Sequence, residues 1–256
     1  MKPLDILFVA ELVPGSRSWQ RIDRLREMGH RVTEISLVPE GDSYERRPGL
    51  IERIRYRLRI PEDRANAAGR ILELAARQNF DIAWFERATT LSGGVLRKFK
   101  HMLPECRLVW YAEDDMMNPA HLSRQVESAI PVYDLWVTTK SFNAAPGELP
   151  ARGARHILFV NNAYDRDAHS PAPADPEADA RFAADISFVG TYEKPRSDVL
   201  RTLAEAGLKV RVWGNGWEKM DPVPDDLDIA YAPVYGEDYR RVVGASRINL
   251  CFLRKG

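Results

Sequence analysis

The chain is short of cysteine, of long apolar runs and of any surplus of charge, and each shortage closes off a class of function. Its two cysteines, Cys106 and Cys251, lie in opposite halves with neither a CxxC pair nor a metal-ligand spacing. That excludes a disulfide scaffold and a cysteine-built zinc centre, and reads as two buried thiols in a reducing compartment. No stretch approaches the ~18 apolar residues of a membrane-spanning helix. The opening MKPLDILFVA also lacks a basic region followed by a long apolar segment. The expected location is therefore cytoplasmic, with no transmembrane segment. Lys and Arg number 37, as do Asp and Glu, so no global field favours nucleic acid as a partner. The five histidines have no ligand spacing, and HExxH, Ser-His-Asp and Cys-His arrangements are missing, which argues against a zinc enzyme or a covalent hydrolase. GxGxxG is missing after Phe8 and Phe188, which argues against a nucleotide-dependent epimerase or oxidoreductase.

What is present is organised around residues 185–217, DISFVGTYEKPRSDVLRTLAEAGLKVRVWGNGW. Residues 185–190 form a short β-rich apolar run. Val199, Leu200, Leu203 and Ala204 recur at helical spacing, and 209–213 is apolar again. Pro195 suits the first turn of a helix, and Gly207 the left-handed residue just beyond its end. This is strand, loop, helix, strand, the seed of a parallel sheet. The same grammar opens the chain at 5–36, where Leu25, Glu27, Gly29 and Val32 match Leu203, Glu205, Gly207 and Val210 at one constant offset. Whether it marks a duplication or only the grammar that any two such units share, it predicts two Rossmann-like domains in tandem.

Further strands are expected at 81–85, 107–112, 134–138 and 157–160, with a helix over 92–101, completing an N-terminal domain over 1–164. Residues 46–64 are the most basic stretch, and Leu50, Ile51, Ile54 and Leu58 favour a helix there although Arg53, Arg55, Arg57 and Arg59 alternate as in a strand. That stretch can touch an acidic acceptor or an anionic membrane surface, or it is a solvated face whose arginine stems cover apolar surface. Residues 165–183, rich in Pro, Ala and Asp, read as a linker. A second domain, 184–256, is expected to carry strands at 185–189, 209–213, 228–231 and 248–253 and a helix over 237–245. It ends directly after a strand, without a helix to cover it. A parallel sheet needs both faces covered, so the expectation is an incomplete domain, finished by missing sequence or by self-association through the open sheet.

Ligands of such sheets bind beyond the carboxyl ends of the strands. Glu113, Asp114 and Asp115 follow one strand there and can supply a general base. Glu113-x-Asp115 also has the spacing of a metal-binding DxD, and a solvated acidic loop is the plain alternative. Gly15 and Ser16 precede a helix whose free N–H groups can meet a phosphate or a sugar hydroxyl. Gly190, Thr191, Lys194 and Arg196 can approach and neutralise a diphosphate. Gly214, Asn215, Gly216 and Trp217 follow the next strand; Trp217 either stacks on a base or sugar or packs on the sheet.

Together DISFVGTYEKPRSDVL, VRVWGNGW and YGEDYRRVVGASRINLCFLRKG resemble the CgeB-like, spore-maturation type glycosyltransferases of the GT-B fold. SGGVLRKFKHMLPECRLVWYAEDD and FVNNAYDRDAHSP resemble their acidic-loop and crossover segments. The resemblance implies an α/β architecture of two Rossmann-like domains facing across a cleft. It also implies transfer of a sugar from a UDP- or GDP-linked donor to an acceptor hydroxyl, with no obligatory metal and no other cofactor. The acceptor is left open among a glycan, an envelope component and a small molecule. On this resemblance Asp114 or Asp115 is the catalytic base and Glu113, Gly15 and Ser16 lie on the acceptor side. Gly190, Thr191, Lys194 and Arg196, with Gly214 to Trp217, lie on the donor side. The family continues past a segment like LRKG into positions missing here, which predicts a fragment. The alternative is a non-catalytic two-domain binding or scaffold protein.

Overall fold

The computed structural model describes residues 2–43, 46–119 and 121–252, which form two compact units dividing after Ala163. The first contains β1 (Asp5–Ala10), α1 (Arg17–Glu27), β2 (Arg31–Ser36), α2 (Leu50–Arg57), α3 (Ala67–Ala75), β3 (Ile82–Glu86), α4 (Gly93–Met102), β4 (Arg107–Ala112), α5 (Arg124–Ala129), β5 (Leu135–Thr138) and β6 (Ile157–Phe159). Its six strands are all parallel, in the order β2-β1-β3-β4-β5-β6. The DILFVA run is almost wholly apolar because both faces of β1 are covered. Leu7 and Val9 enter a core with Ile71 of α3 and Phe99 of α4, while Phe8 and Ala10 meet Ile22 of α1. The strand period of two sends neighbouring residues to opposite faces. Within the larger core Trp110 stacks on Trp136 with ring centroids 4.6 Å apart, and Tyr133 sits edge-on to both.

The second unit contains α6 (Pro176–Phe182), β7 (Ala184–Val189), α7 (Lys194–Glu205), β8 (Val210–Trp213), β9 (Leu227–Ile229), α8 (Gly236–Ala245) and β10 (Ser246–Leu250). Its smaller parallel sheet runs β10-β7-β8-β9. Ile186 and Phe188 pack with Leu200 of α7, and Trp213 packs on the other face with Phe182 of α6 and Val242 of α8. The expected α/β class with two Rossmann-like domains is what the chain adopts, as two parallel sheets of which the second is smaller.

The shared grammar of the two βαβ starts is visible as matching helix ends. After α1, Gly29 donates its N–H to Arg26 O at 2.9 Å and His30 to Leu25 O at 3.1 Å. After α7, Gly207 donates to Ala204 O at 2.9 Å and Leu208 to Leu203 O at 3.2 Å. Both glycines take φ near the left-handed value, +88° and +80°. This pair of bonds closes the last turn and turns the chain back toward the next strand.

Three expectations differ from the structure. The 165–183 stretch read as a linker contains α6, capped by Asp175, whose carboxylate accepts the Ala178 N–H at 3.1 Å. Arg240 donates to Ser170 O at 2.7 Å, and Arg241 reaches Asp179 at 2.9 Å, so α8 binds this segment into the second unit. Its low apolar content misled because one buried aromatic, Phe182, and polar contacts from α8 are enough to hold it. Cys106 is buried, and burial pushes its thiol up to about 12, but Cys251 is exposed because it follows the edge strand β10. The last strand ends at Leu250; 253–256, including the final Arg254, Lys255 and Gly256, lie outside the described residues.

Candidate functional site

In the first sheet the chain passes from β1 to β2 on one side and to β3 on the other, so the strand order reverses between β1 and β3. A crevice opens beyond the carboxyl ends of strands at such a point. A cavity of 310 Å³ lies there, walled by Glu11, Glu86, Glu113 and Asp114 and by Arg17, Arg21 and Arg87, with Gly15, Ser18 and Tyr111.

Glu86 is the buried centre of this group. It ends β3, and strand alternation places it on the same face as Trp84. Its carboxylate accepts from Ser18 Oγ at 2.6 Å, Arg21 Nη1 at 3.0 Å and Trp84 Nε1 at 3.1 Å. Burial raises its pKa, and Arg21, Ser18 and Trp84 pull the other way without cancelling that effect. Arg17 and Ser18 reach the site with Arg21 because they precede it on α1 by four and three residues, neighbours on the helix surface. Arg21 lies over the Tyr111 ring, its Cζ 4.5 Å from the centroid, and donates to Glu113 as well as to Glu86. Burial opposes the Arg21 charge, but Glu86, Tyr111 and Glu113 outweigh it and raise the pKa. Burial likewise raises that of Tyr111. Arg17 completes the clamp on Glu113 at 2.7 Å.

The three residues of the acidic loop have three different surroundings. Glu113 is held by Arg17 and Arg21. Asp114 lines the cavity and pairs with Arg87 Nε at 3.0 Å. Asp115 is a loop brace: its Oδ1 accepts from the Met117 N–H at 3.0 Å and from Asn143 Nδ2 at 2.8 Å. Gly15, with φ +78°, borders the cavity, whereas Ser16 is buried at the start of α1 and is not on the cavity wall. Among the described residues no group of three or more His, Cys, Asp or Glu has the geometry to hold a metal ion.

Glu86, Arg21, Ser18 and Arg87 were not singled out from the sequence. A glutamate closing the apolar run IAWFE, directly followed by arginine, is the signal that was available.

In the second unit the residues expected on the donor side come together, but several are committed to the fold. Gly214 has φ +152°, and a Cβ there would lie 2.0 Å from Gly190 O. At Gly190 a Cβ would meet the Phe188 ring at 2.6 Å. Gly214 therefore lets the loop after β8 approach the Gly190 backbone after β7, while Gly190 leaves room for the Phe188 ring. Trp217 Nε1 donates to Gly190 O at 2.8 Å, and the Tyr192 N–H donates to Asn215 O at 2.8 Å. Trp217 is fully buried against Phe188 and Tyr192. It packs on the sheet and offers no face for stacking, a correction to its placement among donor contacts. Arg196 folds back to Thr191 O at 3.0 Å. Thr191 is exposed, and Lys194, also exposed, pairs with Asp198. Gly216, at φ +83°, starts the turn that carries Trp217.

No family model and no curated protein matches this sequence. Solved structures do match over nearly all of it. A protein described as a UDP-N-acetylglucosamine 2-epimerase, from Listeria monocytogenes, aligns over 97% of this chain and 74% of its own, with 10% identity and a TM-score of 0.56. An alpha-glucosyltransferase in complex with UDP and a 13-mer DNA aligns over 97% of this chain and 72% of its own, with 14% identity and a TM-score of 0.57. The same type of enzyme bound to UDP-glucose and abasic DNA gives 14% identity, 97% and 72% coverage and a TM-score of 0.53. What is shared is the fold, two parallel α/β sheets of the GT-B kind. No helix among the described residues is long and apolar enough to cross a membrane.

Proposed function

We propose that the protein is a glycosyltransferase that moves a sugar from a UDP- or GDP-linked donor to an acceptor hydroxyl. The observation that carries this reading is the cavity at the β1/β3 reversal, where guanidinium donors and carboxylate acceptors line one wall as ion pairs. A hydroxyl both donates and accepts, so such a wall matches a polyol. A bare anion would face four carboxylates there. The first unit is accordingly the acceptor side. Asp114 is the proposed base, because it lines the cavity while Asp115 is tied to Asn143 and Met117. The second unit is the donor side, with Thr191, Lys194 and the first turn of α7 facing the diphosphate. The finer subtype, CgeB-like, rests on the sequence resemblance, and the reading involves no metal.

The likeness to a protein described as an epimerase favours a second reading, isomerisation of a nucleotide sugar. One assay separates the two. The chain is incubated with UDP- and GDP-sugars and with glycan, small-polyol and duplex DNA acceptors, and the sugar is followed by mass and by configuration. Transfer supports the first reading, and an epimerised donor without transfer supports the second. Neither product, together with no thermal shift by any nucleotide sugar, rejects both; a ligand at about 100 times its dissociation constant stabilises by ~2.7 kcal/mol. Asp114→Asn should lose ~10²–10⁴ in rate with donor binding kept. Asp115→Asn should lower stability more than intrinsic turnover, and equal rate losses in the two variants at unchanged stability would overturn the choice of Asp114.

A further inference from the structure

We propose that α2 docks the protein on an anionic lipid surface, a property independent of the transferase reading. No residue of α2 is buried. Leu50 is 66%, Ile51 71%, Ile54 49% and Leu58 54% exposed, an amount of apolar side chain that folding left in water. At 100° per residue these four positions fall within an arc of roughly 100°. Arg53 and Arg57 border one edge of that arc and Arg55 the other.

The helix is held by its opposite side and its ends. Glu52 pairs with Arg46 at 2.6 Å and Arg64 at 3.3 Å and accepts the Gly49 N–H at 2.8 Å. Beyond the C-terminus, Arg59 Nε donates to Leu122 O at 2.7 Å, and the Arg124 N–H donates to Arg59 O at 2.8 Å. None of these contacts uses the apolar stripe. Arg53 and Arg57 form no ion pair with any described residue, and Arg55 reaches Glu62 only at 4.0 Å. The helix's single acid, Glu52, is turned inward and neutralised.

An apolar stripe alone fits many partners; an apolar stripe bordered on both sides by arginine fits an interface where acyl chains lie beneath negative headgroups. A second copy packed on the same face about a two-fold axis would bring like arginines together. The charge pattern therefore selects the lipid surface.

The test uses the full chain with vesicles of phosphatidylcholine alone and of phosphatidylcholine with phosphatidylglycerol, scored by co-sedimentation. Binding is expected only to the phosphatidylglycerol vesicles and should weaken as salt rises from ~0.1 M to ~1 M. Arg53→Gln with Arg57→Gln should weaken it about fivefold per arginine, on the order of twenty-five-fold together. Ile51→Ser with Ile54→Ser should abolish it. All four side chains are exposed, so both double variants should keep the wild-type unfolding midpoint. No binding, equal binding to both vesicle types, or binding untouched by either variant would overturn the proposal. So would a dimer in solution that the two serines dissociate, which would make the stripe a protein contact.

Discussion

Removing the Glu86 carboxylate is the sharpest perturbation of the candidate site, because three donors converge on it. Glu86 and Arg21 side chains retain only 7% and 24% of their exposure. Taking one partner out of a buried ion pair costs ~3–5 kcal/mol. Arg21 keeps Glu113 and the Tyr111 ring, which lowers that figure to about 2–3 kcal/mol. Ser18 and Trp84 lose their acceptor as well, at ~1–3 kcal/mol for each buried donor left unmade, and the terms overlap. Glu86→Ala should therefore destabilise the first unit by about 3–4 kcal/mol. The isosteric Glu86→Gln, which retains an acceptor oxygen, should cost about 1–2 kcal/mol. With a urea m-value of ~3 kcal/mol/M, Glu86→Ala should lower the unfolding midpoint by ~1 M, read by tryptophan fluorescence. A double-mutant cycle with Arg21→Ala isolates the pair, for which contacting residues show ~0.5–3 kcal/mol of coupling. Additive effects of Glu86→Ala and Arg21→Ala, or a Glu86→Ala midpoint equal to that of the wild type, would refute the view that this network holds the strand edge together.

Other perturbations probe different terms. Because burial holds the Glu86 pKa above its ordinary value, the folded chain keeps a proton that the unfolded chain has released between those two values. Stability should thus fall as pH rises through that window. The difference between wild type and Glu86→Gln in pH-dependent urea midpoints should show this slope, and a difference of opposite sign would contradict it. Gly214→Ala places a Cβ 2.0 Å from Gly190 O at φ +152° and should cost ~3 kcal/mol or more. Gly29→Ala and Gly207→Ala, with open space around both but φ of +88° and +80°, should cost ~1–2 kcal/mol each in the same unfolding measurement.

Local chemistry explains what the sequence made legible. Parallel strands buried on both faces read as continuous apolar runs, so β1, β4 and β7 could be located from composition. Gly29 and Gly207 marked two helix ends because only a left-handed residue closes those turns. The alternating arginines of 53–59 left helix and strand open. Leu50, Ile51, Ile54 and Leu58 at helical spacing decided it, yet nothing in their pattern could show that the stripe would face outward.

The site was legible only in part. The acidic loop was visible, but its residues look alike in sequence and separate only through distant partners: Arg17 and Arg21 on α1, Arg87 after β3, and Asn143 after β5. Glu86 was hidden because a charge closing a strand resembles a boundary. Gly190, Gly214 and Trp217 illustrate the converse error. Glycine and tryptophan near a strand end suit a ligand, and they equally suit two loops crossing at van der Waals distance with an indole bonded across them.

The two strand edges are chemically unlike, and the proposed reaction requires that difference. Deprotonating an acceptor hydroxyl needs a carboxylate whose orientation is fixed before the substrate arrives. The proposed base, Asp114, stands at the edge of the first sheet and pairs with Arg87, which is also bordered by Glu11 at 4.0 Å. Accommodating a diphosphate needs backbone N–H groups and cations with few carboxylates beside them. At the edge of the second sheet Gly214 and the Trp217 indole hold two loops together, and the turn ahead of α7 carries Thr191, with Lys194 paired to Asp198 and Arg196 to Glu193 at its end. Rigidity there is useful only if the N–H groups must stay aimed at one place. If Gly214→Ala both loosens this turn and weakens nucleotide-sugar binding, the loop crossing serves the site; if it lowers stability with binding unchanged, the crossing serves the fold alone and the donor side must be sought elsewhere on the second unit.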